Sequence, residues 1–476
     1  MRKIVAILGL VLLLVASMLM GSTGVLGGPP AGTWVSGIQI QNPNTETATV
    51  EMTFYWAAGT ANAGQAIVCP TEPFTIAGGL SRTFFVPSHL TCVPVNFVGS
   101  VVLTSDYPVV AIINTQKTPV GNNDPSRMAS ALGENIPATK VYVPMLRKDF
   151  YNRNTYVAVQ NTEATTATVY FNYYSDKGQA LPAAREVVTV PAYSTKIFYQ
   201  NDNANLPLSL NGFNGSGVIT STVRLAVVVN QANAGTTAGN SGFESYNGAT
   251  SGATTIYMPK MDVNYYTYYQ SGFQVQNIGE EPAYMTATYT FGNQVFTKAS
   301  PKIEPGSAWV VFLANSPVSG IPAGFSGTGA AVIESTQPVV GVVNETNDAV
   351  GHSYITSAFT QESATDTVVF PKFDSLFYGQ YNSGITIQNL GTTTTTVTVV
   401  FSNQLTQVDT QVVSGDIAPG ASKSWYGPSV VPALGTQFTG SVVVFSNNGQ
   451  KIAGIHTEFN TTLLGDTFTA YNGINN

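Results

Sequence analysis

Charge is what this sequence has least of. Asp, Glu, Lys and Arg make up 9% of the 476 residues, against about 25% in ordinary soluble proteins. Thr, Ser, Asn and Gln fill the polar positions instead, and a surface of hydroxyls and amides responds little to salt or pH. The formal net charge is −7, so no basic surface is available to neutralise a run of phosphates, and nucleic acid is excluded as a partner. Histidine is scarce as well: His89, His352 and His456 stand far apart, and a metal or acid–base centre would have to be gathered across long separations. No P-loop, GxGxxG or HExxH is present. Gly239-Asn240-Ser241-Gly242 has only the outline of a serine-protease nucleophile loop, with no histidine or acid in a supporting pattern. The expectation is a chain that is not an enzyme, with no catalytic residues and no metal ligands.

Cysteine occurs twice, at Cys69 and Cys92. In an exported chain the two are expected to pair, closing a loop worth roughly 3 kcal/mol on the chain-entropy account. A metal pair is the alternative, but no set of His and further Cys stands at ligand spacing. Long apolar runs are also missing beyond the N-terminus, where the apolar residues alternate or come in runs too short to span a bilayer. No stretch has the 3.6-residue periodicity of an amphipathic helix. At the N-terminus, Arg2 and Lys3 precede an apolar run from Ile4 to Met20 and a small-residue stretch from Gly21 to Gly28. That order is an export signal, assigned to residues 1–28, with a retained membrane anchor as the rival reading. The expected location is secreted or on the cell surface.

What the chain does have is one phrase written four times. Ser36 to Asn42 (SGIQIQN), Asn154 to Asn161 (NTYVAVQN), Ser271 to Asn277 (SGFQVQN) and Ser383 to Asn389 (SGITIQN) broadly alternate apolar and polar residues, the period of a strand with one buried face. Three copies run on into Asn-x-Gly or Asn-x-Asn, a strand followed by a turn; the second has Glu163 at the last place, so its turn is expected to differ. Further landmarks follow in fixed order. The first is a turn at Gly78-Gly79, Pro191-Ala192, Pro305-Gly306 and Pro419-Gly420. Next comes a Phe-x-Gly strand start at Phe97, Phe213, Phe325 and Phe438. An apolar strand with a polar end follows, closing at Asn114, Asn230, Asn344 and His456. Asn42, Asn161, Asn277 and Asn389 are 119, 116 and 112 residues apart, the size of one β-sandwich domain. Modules two to four open on a short strand ending at Pro144, Pro259 and Pro371, and no Gly/Ser-rich tether separates the modules.

This repeating grammar, best seen in Phe97 to Ser105 (FVGSVVLTS) and Phe438 to Ser446 (FTGSVVVFS), resembles tandem immunoglobulin-like repeats of exported bacterial surface proteins. The resemblance implies an all-β chain of four immunoglobulin-like sandwiches in an elongated array, at 29–139, 140–254, 255–366 and 367–476. The first carries an insertion stapled by the disulfide. It implies no particular activity, since such modules serve adhesion, wall layers and spacing alike.

Aromatic residues are the best candidates for binding. Tyr265, Tyr266, Tyr268 and Tyr269 crowd the entry to module three, Phe377, Tyr378 and Tyr381 match them in module four, and Phe150, Tyr151 and Tyr156 in module two. Such rings stack on sugars or pack at protein interfaces; the rival reading is that they pack each module on its neighbour. The polar stretch Asn230 to Tyr246 reads as a variable surface loop. No cofactor is expected. Calcium is the alternative, with Asp149, Asp262 and Asp374 near the joints and oxygens from Asn201-Asp202-Asn203 and Asn122-Asn123-Asp124, but calcium takes about six to eight oxygens, usually several from carboxylates. The functional expectation is a non-catalytic structural or adhesive cell-surface or matrix protein acting as a stiff rod. Alternatives are a carbohydrate-binding protein using the joint aromatics, or an accessory subunit of an extracellular enzyme. Expected partners are other surface proteins or polysaccharide, together with self-association.

Overall fold

The computed structural model describes residues 9–13, 32–68, 73–86, 88–95, 97–119, 124–235, 237–266, 268–427, 434–435 and 437–475. Cys69, and with it the Cys69–Cys92 pairing, lies outside the described residues, as do Asn122, Asn123 and all of residues 1–28 except the backbone of Gly9–Leu13, which pairs antiparallel with Gly99–Ser105.

The chain is nearly all β, in several antiparallel sheets. Alternation along each strand explains why. In Ala167–Ser175 the side chains of Val169, Phe171 and Tyr173 are buried, while Thr168, Tyr170 and Asn172 between them are not. One apolar face must therefore be covered by a second layer. In the second module a 21-residue strand, Phe213–Asn233, serves both layers. Its first half pairs with Ala167–Ser175 and with the opening strand Ala138–Lys148. Its second half pairs with the Gln-Asn strand Arg153–Asn161 and with Phe243–Asn247. Val157, Val159, Val169, Phe171, Ile219 and Val227 fill the space between. The third module repeats this with Gly327–Asn347. In the first and fourth modules the long strand is two strands, Gly99–Ser105 with Val110–Thr118 and Phe438–Ser446 with Ile452–Asn460.

The asparagine of each Gln-Asn pair pins its module. Asn277 Nδ2 donates to Glu281 O (2.8 Å) and Ile303 O (3.0 Å), and its Oδ1 accepts from Gly279 N (3.0 Å). Asn42, Asn161 and Asn389 make the same set. The second copy does not differ as Glu163 led us to expect: Glu163 N donates to Asn161 Oδ1 at 2.9 Å, because a backbone N–H is all that this turn requires. The Phe-x-Gly landmark needs one correction. A Cβ on Gly99, Gly215 or Gly440 would stand 2.0–2.1 Å from a carbonyl oxygen of the neighbouring strand, and the third-module residue in that position is Gly329, beside Thr290 O, rather than Gly327.

Each module ends in a strand that the sequence reading missed: Ser126–Leu132, Phe243–Asn247, His352–Ser357 and Thr469–Asn472. The expected surface loop Asn230 to Tyr246 therefore ends in buried structure, with Phe243 packed on Trp34 at 4.7 Å between ring centroids. These four strands lie side by side around a common axis. At one end Asn247 exchanges hydrogen bonds with the backbone of Leu132 (3.0 and 3.1 Å), Ser357 Oγ donates to Asn247 O (3.3 Å), and Asn472 exchanges with the backbone of Ser357 (2.7 and 3.0 Å). Thr469 Oγ1 to Ser130 Oγ (2.6 Å) and the parallel pairing of Gly465–Asp466 with Ser126–Arg127 complete the circuit.

The four modules thus form a closed ring, and the elongated array is overturned. Further out, the joints repeat one device. The serine after the Phe-x-Gly glycine donates to the turn of the next module: Ser100 Oγ to Tyr193 O (3.1 Å), Ser216 Oγ to Gly306 O (2.6 Å), and Ser441 Oγ to Gly79 O (3.1 Å). Gln39, Gln274 and Gln388 reach the preceding module, onto Pro371 O, Gly215 O and Ala331 O, with the fourth module preceding the first. Each of the four joints is made by at least one of these two contacts, and a head-to-tail joint repeated at a constant angle closes when the rotation completes a turn.

Candidate functional site

The aromatic candidates fall at the hairpin between the opening strand and the Gln-Asn strand. Three tips share one backbone. Asp149 and Tyr151, Asn264 and Tyr266, and Leu376 and Tyr378 all have φ between 45° and 52°, the left-handed region that costs a side-chain-bearing residue about 1 kcal/mol or more. The hairpins are closed by Phe150 with Arg153, Tyr265 with Tyr269, and Phe377 with Tyr381. Within each tip the inner ring packs on the outer one, with centroids 4.8, 4.4 and 4.2 Å apart. The outer rings stand in solvent: Tyr151 is 60% exposed, Tyr266 74% and Tyr378 69%. Burial, and then Tyr266, push the Tyr265 phenol up to about 12.

The other candidates divide between water and the joints. Tyr268 is exposed. Tyr269 sets its hydroxyl 3.3 Å from His352 Nδ1 and its ring edge-on to Phe468 of the fourth module. Tyr381 lies over the Lys372 ammonium at 5.7 Å. Tyr156 is buried with Trp34 and Phe243 between modules one and two. The tips border the loops that lead into the axial strands: Ala234 N donates to Asn152 O (2.9 Å) and Thr461 N to Gln380 O (2.9 Å). Since the axial strands run in one direction, all three tips stand at the same end of the ring.

Behind the tips the joint acids find their partners. Lys260 bridges Asp262 and Glu345 in module three, and Lys372 bridges Asp374 and Glu458 in module four; all four acids are buried. Ser271 and Ser383 accept from the backbone N–H of Asp262 and Asp374 at 2.8 and 2.9 Å. The same bond in module two runs from Arg147 N to Thr155 Oγ1 (3.0 Å), so the counterpart of Asp262 is Arg147, whereas Asp149 is exposed at the tip. An ammonium occupies the centre of each acid pair. Among the described residues, no group of three or more His, Cys, Asp or Glu is placed to hold a metal ion.

The histidines do not meet. His89 is exposed; burial pulls His352 down to about 4. His456 faces Ile385 across the strand pair, the register place of Val343 rather than Asn344. There it is fully buried, stacked on Tyr471 at 4.4 Å, with neither ring nitrogen hydrogen-bonded among the described residues. Burial, and then Lys372, hold it well below the usual imidazole range. Near the axis at the tip end, buried Asp466 accepts from Phe243 N, Ser353 N and Ser353 Oγ, tying three modules together. Arg127 donates to the carbonyls of Asn233, Gly235 and Gly242. The opposite end opens into two adjoining cavities of about 200 and 290 Å³, lined by neutral polar groups such as Ser357, Asn247 and Asn472, with Glu134 in the larger.

No family model matches the chain, and no curated protein matches it. Among solved structures, the crystal structure of Thermotoga maritima 1070 is similar over 23% of this chain and 94% of that chain, at 20% identity and a TM-score of 0.19. Function therefore rests on the geometry described above.

Proposed function

We propose that the chain is an exported, non-catalytic component of the cell surface or extracellular matrix. In this reading four immunoglobulin-like sandwiches form one stiff body with a structural or adhesive role. The observation that carries it is the chemistry of the joints. Apart from buried Asp466 and Arg127 near the axis and the Arg153–Asp348 ion pair, they are held by uncharged serine, asparagine and glutamine side chains on backbone carbonyls, bonds that ionic strength does not screen. The charge-poor composition and the apolar leader support the same reading. The buried charged groups behind the tips are engaged with one another, Lys260 and Lys372 each between two acids, and the exposed tyrosine rings recur at three tips of that end, with Asp149 exposed beside one of them.

Fractionating the producing cells, and assaying the purified chain for binding to isolated envelopes in low and high salt, tests the proposal. Recovery from medium or envelope, with retention that persists in about 1 M salt where the screening length is only about 3 Å, is the expected result. Recovery from the cytoplasm, or no retention on envelopes at either salt, overturns it.

A further inference from the structure

We infer that the three aromatic tips form one multivalent site, on one end of the ring, for an uncharged polysaccharide. The inference rests on the adhesive reading and names the surface and the partner. Three observations lead to it. The same strained backbone recurs at Tyr151, Tyr266 and Tyr378, each time presenting a large exposed ring where glycine or asparagine would sit without cost. A conformation kept against its cost in three places marks those places as functional candidates.

The recurring chemistry is a phenol beside amides and hydroxyls. Asn211 Nδ2 donates to Tyr151 Oη (3.2 Å), Gln270 and Asn264 bond each other beneath Tyr265 and Tyr266, and Gln380, Asn460 and Thr462 form a connected group beside Tyr378. A flat apolar face with uncharged hydrogen-bonding groups at its edge suits a pyranose ring, which has C–H faces and a hydroxyl rim. The aliphatic side chains exposed at this end, Leu210, Val350 and Leu464, do not recur from module to module, so they do not define the site. Finally, three equivalent tips on one rigid body call for a ligand that is itself repetitive. A polymer of identical sugar units engages them together, and its apparent affinity then exceeds that of one tip by about a hundredfold or more.

The test uses the full-length chain and asparagine substitutions, which remove the ring but keep a residue that tolerates positive φ: Tyr151→Asn, Tyr266→Asn and Tyr378→Asn, singly and combined. Binding is read by affinity electrophoresis and calorimetry against soluble hydroxyethylcellulose, xyloglucan and dextran, with alginate and phosphatidylcholine vesicles as the charged and lipid comparisons. The expected result is binding to at least one neutral polymer, weakened about tenfold by each lost tip and abolished in the triple variant, whose melting temperature is unchanged or higher. The inference is overturned if the folded wild type binds none of the neutral polymers, if the triple variant binds as wild type does, or if the tips select vesicles over polymers. Should the triple variant still adhere to envelopes as wild type does, the tip assignment fails while the adhesive reading stands.

Discussion

Lys260, Asp262 and Glu345 place two carboxyl groups and one ammonium in a buried space, and Lys372, Asp374 and Glu458 repeat it. With both acids ionised each cluster carries an uncompensated negative charge. Burial, and then Asp262, push Glu345 up to about 8; burial first, with Asp374 adding to it, pushes Glu458 up to about 7. A carboxyl group whose folded value lies above its unfolded value of 4.5 binds its proton more tightly in the folded chain. Its contribution is complete below about pH 4.5 and is lost as pH rises through 7 and 8. His352 and His456 act in the opposite direction. Buried in the neutral form, they contribute above the ordinary value of 6.5, and that contribution is lost as the pH falls below it. We therefore expect the melting temperature to decline between pH 6.5 and about 8, and the double variant Glu345→Gln, Glu458→Gln to flatten that limb while leaving the acid limb in place. Module two already carries Gln231 in the register of Glu345. A decline of unchanged slope in the double variant would exclude these clusters as its cause. No sequence spacing announces them: Lys260 and Asp262 are two residues apart, but Glu345 arrives from a strand more than eighty residues away.

At the scale of the element, the Gln-Asn strand joins turn to core through one side chain. Removing the Asn277 or Asn389 amide strips two carbonyls of a donor and one backbone N–H of its acceptor. At about 1 kcal/mol per bond, and more for groups left buried and unpaired, Asn277→Ala or Asn389→Ala costs about 3 kcal/mol. Urea unfolding of each variant measures this, and a loss under about 1 kcal/mol would mean that solvent replaces the bonds. This much is legible in the chain, since the asparagine, the following turn and the later Pro-Gly all stand at near-constant spacing. The axial strands are not. Phe243–Asn247 and Thr469–Asn472 are short, lie amid Ser, Thr, Asn and Gly, and owe part of their burial to axial strands of two neighbouring modules packed against them.

The whole molecule is where the largest expectation failed and where closure can be tested. A compact chain of this size has a radius of gyration of about 23 Å, well below that of four modules in line, and small-angle scattering should give that value. The seam between the last module and the first depends on Gly465, whose φ is 103° and whose absent Cβ would meet Ser126 O at 2.5 Å. Gly465→Val is expected to part the Gly465–Ser126 pairing, raise the radius of gyration and expose the seam to protease, with the β circular-dichroism signal retained. An unaltered scattering curve would mean that the remaining joints hold the ring closed without this seam.

The sequence by itself determined the β class, the fourfold repetition and the turn chemistry, because alternation, asparagine pins and Pro-Gly turns are properties of a few neighbouring residues. It even displayed both halves of the joint, the serine after the Phe-x-Gly glycine in modules one, two and four and the turn that follows each Gln-Asn strand. Only the tertiary structure decided that these halves meet between modules, that the fourth meets the first, and that three tyrosine tips share one end. Those outcomes depend on the angle at which one module packs on the next, which is set by whole surfaces in contact and has no signature in local spacing.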